Sequence, residues 1–177
     1  DLEEVNMIEP AWKLILGNKA VLALLWEMYP NHPNLLPSYM DNPKYWADQN
    51  ETPIDAENKK WVSKTKYGRE GEDVKLSRNY PNYDLFISAS ETNPVKEDKD
   101  GTKTLVGSPV FQEFFPLPLA SGRSILTSSW VINGQPACLC FREDTSEVTN
   151  NNSEFLPHFV SPTSLMREWV FKASASQ

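Results

Sequence analysis

Lys64, Arg69 and Glu70 lie close together in the run Trp61-Val-Ser-Lys-Thr-Lys-Tyr-Gly-Arg-Glu-Gly71, with Gly68 and Gly71 on either side of the last two. A strand would bring Lys64 to its end, and a flexible loop would then present Arg69 and Glu70. Lys and Arg supply the positive charge that a triphosphate needs. Glycine lets backbone amides approach an anion closely and form a concavity around it. A carboxylate in the same loop could hold Mg²⁺ against the phosphates. The run is not a Walker A loop, because the Gly-Lys-Ser/Thr ending is absent. Read alone, the same residues would also make a charged surface hairpin.

Three further groups could carry chemistry. Val110-Phe-Gln-Glu-Phe-Phe-Pro-Leu-Pro118 is a strand running into proline. Such a place leaves backbone N–H and C=O groups exposed, and an adenine needs one donor and one acceptor. An edge strand ended by prolines would look the same. Asn18-Lys19-Ala20 puts a lysine at a helix break, where it is either a ligand group or solvated. Arg142-Glu-Asp144, followed by Thr149-Asn-Asn-Asn-Ser-Glu154, follows an apolar run and reads as a site rim or as a plain loop. His32 and His158 lie in proline-containing turns with no partner pattern, and nothing supports a Ser-His-Asp or Cys-His arrangement.

The elements that must position these residues follow from periodicity. Pro10 to Met28 has apolar residues at helical spacing, and Gly17-Asn18 divides it, so two shorter helices are equally consistent. Tyr29 to Asn34 is a proline-rich turn, and the polar stretch Asn42–Asn58 reads as a surface insertion. The period then changes to two. Trp61–Thr65, Tyr83–Ala89, Pro109–Phe115, Ser124–Asn133 and Ala137–Arg142 read as strands, with Asn133-Gly134 as a hairpin signal. Turn-rich loops separate them at Lys66–Asp73, Glu91–Gly107 and Glu143–Glu154. The expected class is α+β, with a mainly antiparallel sheet packed against the Pro10–Met28 helices.

A chain of 177 residues suits one domain, or two small ones sharing a core. Its net charge of −7 argues against a nucleic-acid backbone or an anionic membrane as the main partner, so any polyanion needs a local basic pocket. The longest apolar stretch, Ala20–Trp26, is far too short to span a bilayer. Cys138 and Cys140 alternate along an apolar run and are expected as two buried, reduced thiols in a core strand. That fits a reducing compartment. The start at Asp1 without Met reads as a cut into a longer protein.

The order of the pieces carries more than any one of them. Ile8-Glu-Pro-Ala-Trp-Lys-Leu-Ile-Leu-Gly-Asn-Lys-Ala20, Leu24-Leu-Trp-Glu27, His32-Pro-Asn-Leu-Leu36, Lys64 to Gly71 and Trp130 to Asp144 together resemble the C-terminal synthetase region of glutathionylspermidine synthases and related bacterial ligases. The resemblance covers most of Ile8–Phe159 and implies an ATP-grasp fold with a rearranged chain order. It places residues 1–160 in the C-terminal part of such a domain and leaves 161–177 as a tail with a short amphipathic piece around Leu165–Phe171. In the reaction it implies, ATP phosphorylates the glycine carboxylate of glutathione, and the amine of spermidine attacks the acyl phosphate to form an amide. A thiol-peptide carboxylate and a polyamine-type amine are then the partners, in a cytoplasmic or organellar setting.

Carried over residue by residue, Lys19 and Lys64 resemble the two lysines that hold the ATP phosphates. Arg69 would lie in the lid loop and stabilise the transferred phosphoryl group, and Glu70 would be a Mg²⁺ carboxylate. Gln112, Glu113, Phe114 and Phe115 resemble the adenine hinge. Glu147 stands where the family has an apolar residue on the adenine floor, and Glu154 stands near an acidic residue suited to a polyamine cation. The family's main Mg²⁺ carboxylates and most glutathione contacts lie upstream of this segment. The expectation is therefore nucleotide binding without turnover by this segment alone. The other reading is a non-catalytic descendant of the domain, working with other protein subunits in a larger assembly.

Overall fold

The structure, a computed structural model, describes residues 10–51, 53–91, 95–97, 99–105 and 107–159. Residues 8 and 9 of the first motif, the division at residue 160 and the amphipathic piece expected at 165–171 fall outside the described residues. Asn18 breaks the first helical stretch into a 3-10 turn, Ala11–Gly17, and the helix α1, Ala20–Met28. The Asn18 side chain accepts from the Ala20 amide at 2.9 Å and so caps the restart.

Three short antiparallel sheets follow. The first has the order β1-β6-β2-β3, formed by Ser38–Tyr39, Pro109–Glu113, Trp61–Thr65 and Lys75–Leu76. The second has the order β10-β9-β8-β7, formed by Glu154–Leu156, Gln135–Asp144, Arg123–Ile132 and Leu119–Ala120. A hairpin of β4, Val95–Glu97, and β5, Lys103–Leu105, stands apart inside the stretch expected as a loop. The α+β class and the antiparallel pairing agree with the sequence, but the strands divide between sheets where one sheet was expected. The reason lies between Phe114 and Pro118, where two prolines end β6 and carry the chain out of the first sheet before β7 begins.

The core sits on the first sheet. Tyr39, Trp61, Phe86 and Phe111 form its buried centre, with Phe86 and Phe111 edge to face at 6.0 Å. Edge-to-face rings gain from the opposed charge of ring face and rim as well as from lost water contact. The Trp61 indole donates to the Ala56 carbonyl at 2.8 Å, which satisfies its one polar atom inside the core.

Two expectations fail here for related reasons. Tyr83–Ala89 is not a strand but lies in the helix α3, Tyr83–Ser90. Asn82 caps it by accepting from the Leu85 amide at 2.9 Å. Tyr83, Phe86, Ile87 and Ser90 then share one face, a pattern that short alternation imitates. The polar stretch from Asn42 is likewise not a mere surface insertion. Pro43 opens the helix α2, Pro43–Gln49, and Pro43, Ala47 and Ala56 are buried. The Tyr83 hydroxyl donates to Asn42 at 2.6 Å and ties this segment to α3.

A third expectation, that Cys138 and Cys140 are buried, also fails. Cys138 is exposed, Cys140 is half-buried, and both are free thiols. They lie on the outer half of the β8–β9 hairpin, whose Asn133-Gly134 turn has φ of 48° and 74° and closes as the sequence indicates. An apolar run facing solvent looks the same in sequence as one facing a core. Among the described residues no helix is long and apolar enough to cross a membrane.

The helical face of α3 makes a prediction that a strand would not. Phe86→Ala should cost about 3–5 kcal/mol and Ile87→Ala about 2 kcal/mol, because both side chains pack on the core. Leu85→Ala, on the exposed face, should cost under about 1 kcal/mol. Urea unfolding of the three variants checks this.

Candidate functional site

β2 and β6 pair in antiparallel register, with Val62 opposite Gln112 and Lys64 opposite Val110. Lys64 and Gln112 are therefore diagonal neighbours on one face. The Lys64 ammonium donates to Gln112 Oε1 at 2.8 Å, Gln112 Nε2 donates to Ser38 Oγ at 3.0 Å, and Ser38 donates to the Leu36 carbonyl at 2.9 Å. Both ends of the Gln112 amide are thus engaged, and its oxygen is turned toward Lys64. Lys19 arrives from the start of α1. Its backbone amide donates to the Lys66 carbonyl at 2.9 Å, and its ammonium donates to the Gly68 carbonyl.

Burial pushes the Lys19 ammonium below its ordinary pKa. Burial does the same to Lys64, and the positive charge of Lys19 pushes it down further. Among the described residues no carboxylate pairs with either lysine. Two like charges with neutral partners are a costly arrangement unless an anion completes it.

Both lysines line a cleft of about 390 Å³ between the two large sheets, and Gln112, Glu113, Phe114, Phe115 and Glu147 line it too. The structure thus brings together seven of the residues expected at the site. Val62, Leu76 and Leu126 give it apolar walls. β6 is not an edge strand, since β1 and β2 flank it on both sides. Its free backbone groups arise another way. The Glu113 amide donates to the Pro37 carbonyl at 2.8 Å, and the Phe114 amide donates to the Lys60 carbonyl at 2.8 Å. An antiparallel pair of this kind exchanges two bonds, but proline has no N–H to return. The Glu113 carbonyl therefore finds no protein partner among the described residues, and the Phe115 amide, past the end of β6, finds none either. One acceptor and one donor are left at the rim of the cleft.

The other expected residues sit around the rim. The Lys66–Asp73 loop is a series of turns in which Glu70 and Gly71 have φ of 57° and 74°. A side chain at Gly71 would put its Cβ 2.5 Å from the Thr149 carbonyl, so the two loops touch closely there. Glu70 accepts from the Asn151 amide, and Arg69 is exposed beside it. Neither Arg69 nor Glu70 lines the cleft itself. Glu147 pairs with Arg78, whose guanidinium lies over the Phe114 ring at 4.8 Å. Glu154 stands apart on β10 and pairs with Arg123 at 3.4 Å.

Residue type and spacing do not point to Arg78 or Ser38, whereas the stretch from Thr149, read as a site rim or a plain loop, does reach the cleft at Thr149. Ser38 and Arg78 lie far in sequence from the groups they serve, and only the register of β1, β6, β2 and β3 brings them in. The loop carrying Thr149 is held by Asp144, which accepts from the Ser153 hydroxyl at 2.5 Å and the Ser146 amide at 2.8 Å. These bonds hold the Asp144 carboxyl below the usual carboxylate range.

Among the described residues no three His, Cys, Asp or Glu side chains gather as a metal site. Glu70 offers one carboxylate next to the cleft. That suits Mg²⁺ only in its common form, in which phosphates and water supply the remaining oxygens. The lysine pair, the apolar walls and the donor–acceptor pair at Glu113 and Phe115 suit a polyanion carrying a flat polar ring.

Comparison with known proteins gives consistent matches. Residues 1–161 match the family model described as glutathionylspermidine synthase preATP-grasp. The chain is 38% identical over 162 residues to a putative acid–amine ligase of Haemophilus influenzae, covering 90% of this chain and 36% of that protein. It is 29% identical over 159 residues to the bifunctional glutathionylspermidine synthetase/amidase of Escherichia coli, covering 89% of this chain and 22% of that protein. It is 23% identical over 152 residues to the trypanothione synthetase of Crithidia fasciculata, covering 86% and 20%. The chain thus spans little more than a third of the first relative and about a fifth of the other two.

The lowered lysine pKa values set a sign for stability. A group that binds its proton less well folded than unfolded makes the native state gain stability as pH rises from its folded pKa toward its unfolded one, here 10.5. Lys64→Met should remove much of that rise. It should also raise stability at neutral pH by roughly 0.5–2 kcal/mol, as relief of a functional compromise commonly does. Thermal unfolding of both proteins between neutral pH and pH 10 measures the two effects.

Proposed function

This chain belongs to the glutathionylspermidine synthase family, and we propose that it supplies the nucleotide-binding part of an ATP-dependent carboxylate–amine ligase of ATP-grasp architecture. The observation that carries the reading is the pair Lys19 and Lys64, two ammonium groups on one cleft with no carboxylate between them among the described residues. Volume supports it as well, since about 390 Å³ is within the usual range for small-molecule sites. Polarity at the hinge favours adenine. Its 6-amino group donates where Glu113 has a free carbonyl, and its N1 accepts where Phe115 has a free amide. Guanine offers the opposite order at both atoms.

In the proposed reaction a substrate carboxylate oxygen attacks the γ-phosphorus of ATP. The bond to the β,γ-bridging oxygen breaks and ADP leaves. The amine then attacks the acyl carbon, inorganic phosphate departs with the electrons of the C–O bond, and the nitrogen loses a proton. A carboxylate resists attack until one oxygen becomes such a leaving group. Lys19 and Lys64 would balance the charge of the phosphates from the cleft floor. Arg69, exposed on a loop with glycines on both sides, would reach the transferred group after the substrates bind. Glu70 would give Mg²⁺ one oxygen, with phosphates and water giving the rest. Glu154 would face the amine substrate if Arg123 released it.

For the whole protein we propose a thiol-peptide carboxylate and a polyamine-type amine as substrates, in a reducing intracellular compartment. The proposed domain is 1–160, with 161–177 as its tail. One observation favours a second reading, a non-catalytic subunit of a larger assembly. Glu147, which lines the cleft, pairs with Arg78, whereas the resemblance leads one to expect an apolar residue at that position.

Calorimetric titration of the full-length protein with Mg·ATP decides between the two. The ligase reading expects saturable binding that Lys64→Ala weakens at least about tenfold, whereas the second reading expects none. Arg69→Ala should lower kcat by roughly two orders of magnitude or more and leave ATP affinity nearly unchanged, because its contact strengthens only in the transition state. Arg69→Lys should restore part of the rate, since a point charge lacks the planar fork. Equal ADP release by all three proteins would overturn the role of Arg69.

A further inference from the structure

A second cavity, of about 190 Å³, opens between α1, β1 and α2. Its character is opposite to that of the cationic cleft. Three aromatic rings, Trp26, Tyr39 and Trp46, line it, and two carboxylates, Glu27 and Asp41, stand among its walls. Tyr39 and Trp46 lie with ring centroids 4.8 Å apart and planes tilted by 50°. Nearby lysines do not neutralise the carboxylates, since Lys44 pairs with Glu57 at 2.6 Å and Lys59 with Glu113 at 2.8 Å. Among the described residues neither the Glu27 nor the Asp41 side chain makes an ion pair or hydrogen bond.

We propose that this cavity binds a small alkylammonium ion, its charge set toward Glu27 and Asp41 and its carbon chain against Trp26, Tyr39 and Trp46. Ring faces carry negative charge and attract a cation lying within about 6 Å, while the same rings take apolar carbon out of water. An anion meets two carboxylates here and is repelled. A neutral chain of the same length gains the apolar contact alone. The cavity holds a short amine whole, so the ligand is a free small molecule. Ser38 is a wall of this cavity and also holds the Gln112 amide that faces Lys64. Ser38 thus stands between this cavity and a residue of the cationic cleft. The inference does not rest on the ligase reading, because none of Trp26, Glu27, Asp41 or Trp46 lines the cationic cleft.

The test is a tryptophan-fluorescence titration of the full-length protein with n-butylammonium chloride, beside butan-1-ol as the uncharged match and sodium chloride for ionic strength. The expected result is a saturable change with the ammonium ion alone. Glu27→Gln combined with Asp41→Asn should weaken it about tenfold, equivalent to about 1.4 kcal/mol. Both replaced side chains are exposed, and an unchanged melting temperature establishes that the variant is folded. Trp46→Phe keeps a ring and should weaken binding less than the charge variant. An equal response to butan-1-ol, no saturation, or undiminished affinity in the folded charge variant overturns the proposal. ATP titration of the same variant separates the two sites. Lost ammonium binding with ATP binding intact is the expected pattern in the variant, while a saturable ammonium response without ATP binding in the unsubstituted protein would sink the nucleotide reading alone.

Discussion

Two ammonium groups held side by side, with no counter-charge among the described residues, are the constraint to which the rest of the site answers. Water would hold them more cheaply, so the fold must keep them in place by force of its other contacts. β6 lies between β1 and β2, which fixes the diagonal that sets Lys64 against Gln112. Gln112 cannot rotate its oxygen away, because Ser38 holds its nitrogen and Leu36 holds Ser38. The aromatic core under the same strands makes that register expensive to shift. The site is thus a polar line on one face of a sheet whose packing is directed elsewhere.

The groups that could bind were legible in the sequence, and their surroundings were not. Lys19, Lys64 and the 112–115 segment were recognisable from residue type and order, and all of them line one cleft. Strands Trp61–Thr65 and Pro109–Glu113 and the Asn133-Gly134 turn were legible because alternation and turn chemistry are local signals. Tyr83–Ser90 misled because eight residues are too few to separate a period of two from one of 3.6 when aromatics fall at both. Cys138 and Cys140 misled because hydropathy says nothing about which sheet face meets a partner. Arg78 was invisible since nothing near it in sequence calls for a guanidinium; it is placed by the turn after β3 against the Phe114 ring just past the end of β6.

The two large sheets meet through loops more than through cores. Gly71 against Thr149, Glu70 with Asn151, and Arg78 with Glu147 all join the first sheet's side of the cleft to the loop after β9. Each is polar or purely steric, and none buries a large apolar side chain. Contacts of this kind open at little cost, in contrast to the aromatic packing below them. A cleft closed by such contacts can admit a ligand without disturbing the strands that carry its lysines.

Pro37 shows where selectivity can reside in such a site. It offers the cleft no functional group, yet the open carbonyl of Glu113 exists because Pro37 lacks a hydrogen on nitrogen. A search for recognition residues by side-chain chemistry would pass over it. Any other residue at position 37 would bring an amide hydrogen and could zip the ladder one bond further, turning a reader of ring polarity into ordinary sheet. The information lies in an atom that the chain omits, one strand away from where it is read.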